Sequence, residues 1–226
     1  MKSDFKRYPL TFILIASSSI VYLFSAWFSQ SLIDIELQTL VDMGALYGPL
    51  TVIKGEWWRL FSAMFLHGGM THLLMNMVSL YLIGRGAEAY FDTKSYLSIY
   101  FFSGLIGGLV SLYIHPVSVG VGASGAIFGV FGALAGFFLA HRERIASHTQ
   151  AFMKDFAIII VINLVIGLSV PSIDISAHIG GLIVGFMGGF VLSKNPKWIW
   201  IYSMSMVLLI LLSISYLPHQ YVQTLF

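Results

Sequence analysis

The chain has no cysteine, which excludes disulfides, thiolate metal sites and a thiol nucleophile. Charge is scarce: 10% of the 226 residues are Asp, Glu, Lys or Arg, against about 25% in soluble domains. With 58% hydrophobic residues, the composition is that of a membrane protein. A net charge of +2 is too small to point to nucleic acid. Six prolines and no low-complexity tract give no sign of a disordered linker. No His-Glu-x-x-His motif is present, which disfavours a zinc protease. No clear internal repeat appears, as a transporter would show. No metal or cofactor is called for.

What the chain does have is long apolar runs. Leu10–Phe28 predicts a first spanning helix, and its length and lack of a small-x-small cleavage site favour an uncleaved helix over a signal peptide. Further spans are predicted at Thr71–Tyr90, Tyr96–Ile114, Val119–Leu139, Met153–Val170, Ile175–Leu192 and Trp198–Tyr216. A bilayer core takes about 20 residues of helix. Unbroken rather than alternating runs predict helices, because lipid leaves backbone polar groups no other partner. The expected fold class is all-α: a polytopic membrane helical bundle of 1–226, with a core over about 9–193 and an extra C-terminal helix over about 198–216.

Residues 30–69 form the longest connection. It is too apolar to float in water and carries Trp57-Trp58, a pair suited to the membrane interface. It is expected to lie half sunk in the outer leaflet. Lysine and arginine set the orientation. With the N-terminus in the cytoplasm, Lys2, Lys6, Arg7, Arg85, Lys94, Arg142, Arg144, Lys154, Lys194 and Lys197 lie inside, and only Lys54 and Arg59 outside. This bias predicts N-terminus in and C-terminus out; the expected location is that of an integral multi-pass protein of a bacterial cell membrane. Asn76, Ser124 and His178 then share one depth, near the outer face.

Those three residues carry the chemistry. Ser124 lies in Gly122-Ala123-Ser124-Gly125, and His178 lies in Ala177-His178-Ile179-Gly180-Gly181. Alone, either residue reads as helix packing or interhelical hydrogen bonding. Together they offer a nucleophile and a base, since a serine hydroxyl needs a partner to take its proton and a neutral imidazole serves near pH 7. Gly122, Gly125, Gly129, Gly181 and Gly185 are expected to pack the helices, Gly125 with Gly129 and Gly181 with Gly185 making two small-x-x-x-small faces that can bring them close. His72 and Asn76, four residues apart, share a helical face and can point N–H groups at one oxyanion. The Ser124 backbone N–H adds a third donor. Ser124 is expected about five residues into its helix, roughly 8 Å down. His67 reads as a loop-stabilising histidine and Asp174 as a solvated loop acid.

These motifs resemble the rhomboid family of intramembrane serine proteases over nearly the whole chain. The family's Gly-x-Ser-Gly is matched by Gly122, Ser124 and Gly125. Its Ala-His-x-x-Gly-x-x-x-Gly is matched by Ala177, His178, Gly181 and Gly185. His67, His72 and Asn76 match its His-x-x-x-x-His-x-x-x-Asn, and Trp58-Arg59 matches its first-loop Trp-Arg pair. The resemblance implies a Ser124–His178 dyad without an acid and an oxyanion site from His72, Asn76 and the Ser124 amide. The implied substrates are other membrane proteins, cut in or next to a transmembrane helix. Phe128 replaces a tyrosine that some members stack on the histidine. Two rival readings are a non-enzymatic binder of client helices and a haem protein or transporter that uses histidine ligands.

Overall fold

A computed structural model of the chain describes residues 2–144 and 174–225. A short helix α1 (Lys2–Arg7) leads into α2 (Pro9–Ser29). Pro9 occupies the first turn, where its missing N–H costs nothing. The first amides of α2 are met from another helix: Glu88 accepts from the Leu10 and Thr11 N–H groups (2.8 Å each) and from the Thr11 hydroxyl (2.7 Å). A helix start has four such unpaired amides, and lipid offers them nothing. α2 ends at Gln30, a left-handed cap at φ 52°.

The long connection is a folded unit. It contains α3 (Leu37–Asp42), a two-residue strand β1 (Leu46–Tyr47), a π-helical turn (Pro49–Ile53) and α4 (Arg59–Ser62). Arg59 is its hub, only 5% exposed. Its Nη1 donates to the carbonyls of Val41 (2.6 Å) and Ala45 (3.1 Å), and its Nε donates to Glu56 (2.6 Å). A charge that reads in sequence as a topology marker is thus a buried fork that ties three parts of the loop together.

Then come α5 (Met70–Tyr90) and α6 (Thr93–Ile114), the latter capped by Asp92 on the Lys94 and Ser95 amides (3.0 Å each). A strand β2 (Val119–Gly120) pairs antiparallel with β1, with Leu46 opposite Gly120. The chain continues in α7 (Ser124–Ala140), α8 (Ile175–Lys194) and α9 (Ile199–Leu225). The expected span Met153–Val170 lies outside the described residues. Among the described residues, four helices are long and apolar enough to cross a membrane, namely α2, α6, α8 and the stretch containing α9. α7 is apolar but shorter, and α5, equally long, is diluted by His72, Asn76, Arg85 and Glu88. The protein is a multi-pass membrane helical bundle.

Two boundaries differ from expectation. The apolar run predicts the fourth span from Val119, but the helix begins at Ser124. Residues 119–120 are taken up by pairing with β1, and Gly122 turns the chain at φ +124°. Ser124 is therefore the first residue of its helix, not one buried a turn and a half inside it. The last span is expected to stop at Tyr216, before Pro218, yet α9 runs through that proline to Leu225.

α6, α7 and α8 form the centre. α7 and α8 run parallel, and their contact repeats every four residues. A Cβ on Gly181 would overlap the Gly125 carbonyl, one on Gly185 the Gly129 carbonyl, and one on Gly189 the Ala133 carbonyl. The backbones touch where side chains would otherwise stand, as in small-residue membrane packing. On its other side α8 meets α6, where a Cβ on Gly107 would lie 2.6 Å from the Ala177 carbonyl oxygen.

Candidate active site

Ser124 and His178 each lie in the first turn of a helix, and the glycine register of α7 and α8 sets those turns side by side. The Ser124 Oγ and His178 Nε2 are 2.8 Å apart. His178 is 6% exposed, while Ser124 is half-buried. The imidazole is stacked on Phe128, with ring centroids 4.2 Å apart and planes 12° from parallel. The aromatic ring noted in the sequence therefore holds the histidine flat by its face. Among the described residues the buried His178 Nδ1 has no hydrogen-bond partner.

Asp174 is not the solvated loop acid expected. It is the N-cap of α8, with Oδ1 accepting from the Ser176 N–H (3.0 Å), the Ala177 N–H (3.2 Å) and the Ser176 hydroxyl. Burial pushes its carboxyl pKa up, but hydrogen bonds from Ser111, Ser176 and Ala177 and the nearby His115 outweigh that and hold it below the ordinary value. Asp174 thus fixes where the helix bearing His178 begins. The cap signal is present in the sequence as Asp before Ile-Ser-Ala, a legible N-cap pattern.

The loop before Ser124 is held by the first connection. Gly122 N–H donates to the Ala63 carbonyl (2.9 Å), just after α4. Gly122 is not a helix-packing residue as expected but a loop residue, since the helix starts only at Ser124, and at φ +124° it is in a conformation that favours glycine. It must also be small: a Cβ there would lie 2.8 Å from His72 Nε2 and 3.4 Å from Asn76 Nδ2. The structure so brings the polar ends of His72 and Asn76 up to the serine loop, on one face of α5. Asn76 is buried, and its Nδ2 is unpartnered among the described residues. The Ser124 N–H belongs to the opening turn of α7, whose amides the helix itself leaves free.

His67 sits behind this group, fully buried in the loop before α5. Its Nδ1 lies 3.1 Å from the Phe65 carbonyl, and its ring meets that of His72 edge to face at 5.1 Å. Burial, then the neighbouring His72, push its pKa down to about 3, so it stays neutral. Trp58 and Arg59 lie in the loop, with the guanidinium carbon 4.8 Å from the Trp58 ring centre. Arg59 opens α4, and Ala63, just after α4, accepts from the Gly122 N–H of the serine loop.

The arrangement offers a hydroxyl next to an imidazole nitrogen, with the ring of His72 and the amide of Asn76 beside the loop that leads into Ser124, at the N-terminus of α7. A helix N-terminus favours negative charge, and the one of α8 already has the Asp174 carboxylate as its cap.

Comparison with known proteins points to one family. The family model of the rhomboid domain matches residues 54–195. The chain is 42% identical over 164 residues to RHOMBOID-like protein 5 of Arabidopsis thaliana, covering 72% of this chain and 52% of that protein. It is 39% identical over 160 residues to Rhomboid protease GluP of Bacillus subtilis, covering 71% of this chain and 30% of that protein. It is 31% identical over 194 residues to Putative rhomboid protease YdcA of the same bacterium, covering 85% and 92%. The chain spans about half the length of the Arabidopsis relative, and its relatives come from a plant and a bacterium alike. With the family match covering well over half of its length, the chain belongs to the rhomboid family.

Proposed function

We propose that this protein is an intramembrane serine protease that hydrolyses peptide bonds in or next to transmembrane helices of other membrane proteins. The observation that carries the reading is the 2.8 Å approach of Ser124 Oγ to His178 Nε2 at a helix N-terminus faced by His72 and Asn76. His178 Nε2 takes the hydroxyl proton as Oγ bonds to the scissile carbonyl carbon. The carbonyl oxygen becomes an oxyanion, which accepts hydrogen bonds from the Ser124 N–H, Asn76 Nδ2 and His72 Nε2. The imidazolium returns its proton to the leaving amine as the C–N bond breaks. Water, deprotonated by the same imidazole, then releases the acyl group and restores Ser124. Phe128, stacked on the ring, takes over the orienting task that an acid has in a triad.

Substrate arrives from lipid and water from the membrane surface. The serine lies at the start of α7, next to a folded connection whose Leu32, Ile33, Leu37, Trp58 and Phe61 are exposed, a surface suited to the interface. We infer that this side is the outer face, with the N-terminus cytoplasmic, from the lysine and arginine bias. The test is cleavage of a reporter membrane protein in liposomes by wild type and Ser124→Ala. A client-helix binder without activity would hold the substrate intact in both.

A further inference from the structure

α9 lies along the bundle on one stripe: Tyr202 and Met206 are buried in the main core, and Ile210, Leu217 and Tyr221 belong to a second apolar cluster. Near its start the Tyr202 hydroxyl donates to the Val184 carbonyl of α8 (3.4 Å). Its opposite face turns Met204, Leu208, Leu211 and Leu212 outwards. After Tyr216 the inward stripe reaches the first connection. Leu217 and Tyr221 are buried against Leu46 and Val52 of the first connection, Leu60 of α4 and Leu112 of α6.

Tyr221 is 1% exposed, and its hydroxyl shares one proton between the carbonyls of Leu112 (2.8 Å) and Pro116 (3.2 Å). The Leu112 carbonyl would ordinarily receive the N–H four residues on, but residue 116 is a proline and has none. Tyr221 supplies the missing donor. The same ring closes over Gly48, where a Cβ would overlap both the Pro116 carbonyl and the Tyr221 hydroxyl. Two routes lead from there to the site. Gly48 directly follows β1, whose Leu46 pairs with Gly120, four residues before Ser124. His115, between Leu112 and Pro116, lies 4.0 Å from Asp174, the cap of the helix that bears His178.

We propose that the last turns of α9 are a clamp that sets the serine loop and the base helix against each other, with Tyr221 as the positioning residue. The proposal rests on the protease reading, but its geometry does not. Tyr221 acts through the backbone at 112–116 and at Gly48, not on the reacting atoms.

The test uses the full chain with Tyr221→Phe, which keeps the ring and removes the proton, and Leu217→Ala as a second, apolar break. Three quantities are read at matched folded fraction, judged by thermal unfolding: the rate at which a fluorophosphonate labels Ser124, kcat and KM on the reporter, and amide hydrogen exchange over 46–48 and 119–122. In Tyr221→Phe, labelling and kcat fall about tenfold, the effect of about 1.4 kcal/mol lost from positioning, while KM moves less than about twofold. Exchange over 119–122 quickens. Equal labelling and equal exchange in wild type and variant overturn the clamp alone. A wild type that neither labels nor cleaves overturns the protease reading, and the exchange measurement then decides the clamp by itself.

Discussion

Gly107→Ala tests how far the distance between Ser124 and His178 depends on helices touching backbone to backbone. A Cβ at residue 107 would lie 2.6 Å from the Ala177 carbonyl oxygen, where ordinary contact starts near 3.4 Å. A gap of about 0.8 Å must open, and the obstacle is backbone, which cannot swing aside as a side-chain tip can. α8 cannot take up the gap by moving towards α7, because Gly181, Gly185 and Gly189 already rest on α7 carbonyls. The strain therefore falls on the turn that carries His178, one residue from Ala177. Overpacking of this kind costs about 1–3 kcal/mol of stability. A misplacement approaching 1 Å costs up to about 100-fold in rate, so kcat is expected to fall about 10- to 100-fold. The assay is kcat on the reporter substrate in liposomes, normalised to folded protein, with Gly86→Ala alongside. At Gly86 the nearest atom to an added Cβ is a Leu134 methyl at 3.5 Å, so that variant keeps its rate. A Gly107→Ala enzyme with wild-type kcat would refute the reasoning, since the helices would then give way without moving the histidine.

Ser124→Ala and His178→Ala each abolish cleavage, and the double variant is no slower than either, because a dyad acts as one unit; activity assays on all three check this, and full activity in either single variant contradicts it. Arg59→Ala lowers stability by about 2–3 kcal/mol, since two carbonyls and a carboxylate lose their donor, and Lys does not restore it for want of the fork; thermal unfolding in detergent reads it. Asp174 has a lowered folded-state pKa, so its contribution is present above the ordinary carboxylate pKa and is lost as pH falls through the folded value; acid melting curves of Asp174→Asn, which still caps but does not titrate, are flatter than those of wild type. A water-soluble serine reagent added outside labels Ser124 in intact membranes, and labelling from the cytoplasmic side only would reverse the inferred orientation.

Legibility in the sequence tracks the groups that lipid penalises. A serine, histidines and an asparagine stand out in apolar runs because they are costly there, and glycines at four-residue steps announce close helices. Ser124, His178, His72 and Asn76 stand out on those signals, and so does the register of Gly125 and Gly129 against Gly181 and Gly185. The start of α7 is not legible. Residues 119–123 are as apolar as the helix after them, and only pairing with Leu46–Tyr47, more than seventy residues away, takes them out of it. Pro218 reads as a stop because local rules end a helix near a proline. The helix continues because Leu217 and Tyr221 gain a buried site on either side of it.

The division has a physical basis. Residues that do chemistry must be polar, and polarity in a membrane is conspicuous. Residues that set distances are glycines, a tyrosine and a buried arginine, whose meaning depends on what the fold brings opposite them. Gly107 reads as one more small residue until the Ala177 carbonyl is seen against it. Arg59 reads as an outer-face charge until its two carbonyls and a carboxylate are counted. A serine 2.8 Å from an imidazole is held there by residues of the second kind, so substitutions that slow the reaction without touching the dyad belong at Gly107, Gly122, Arg59 and Tyr221.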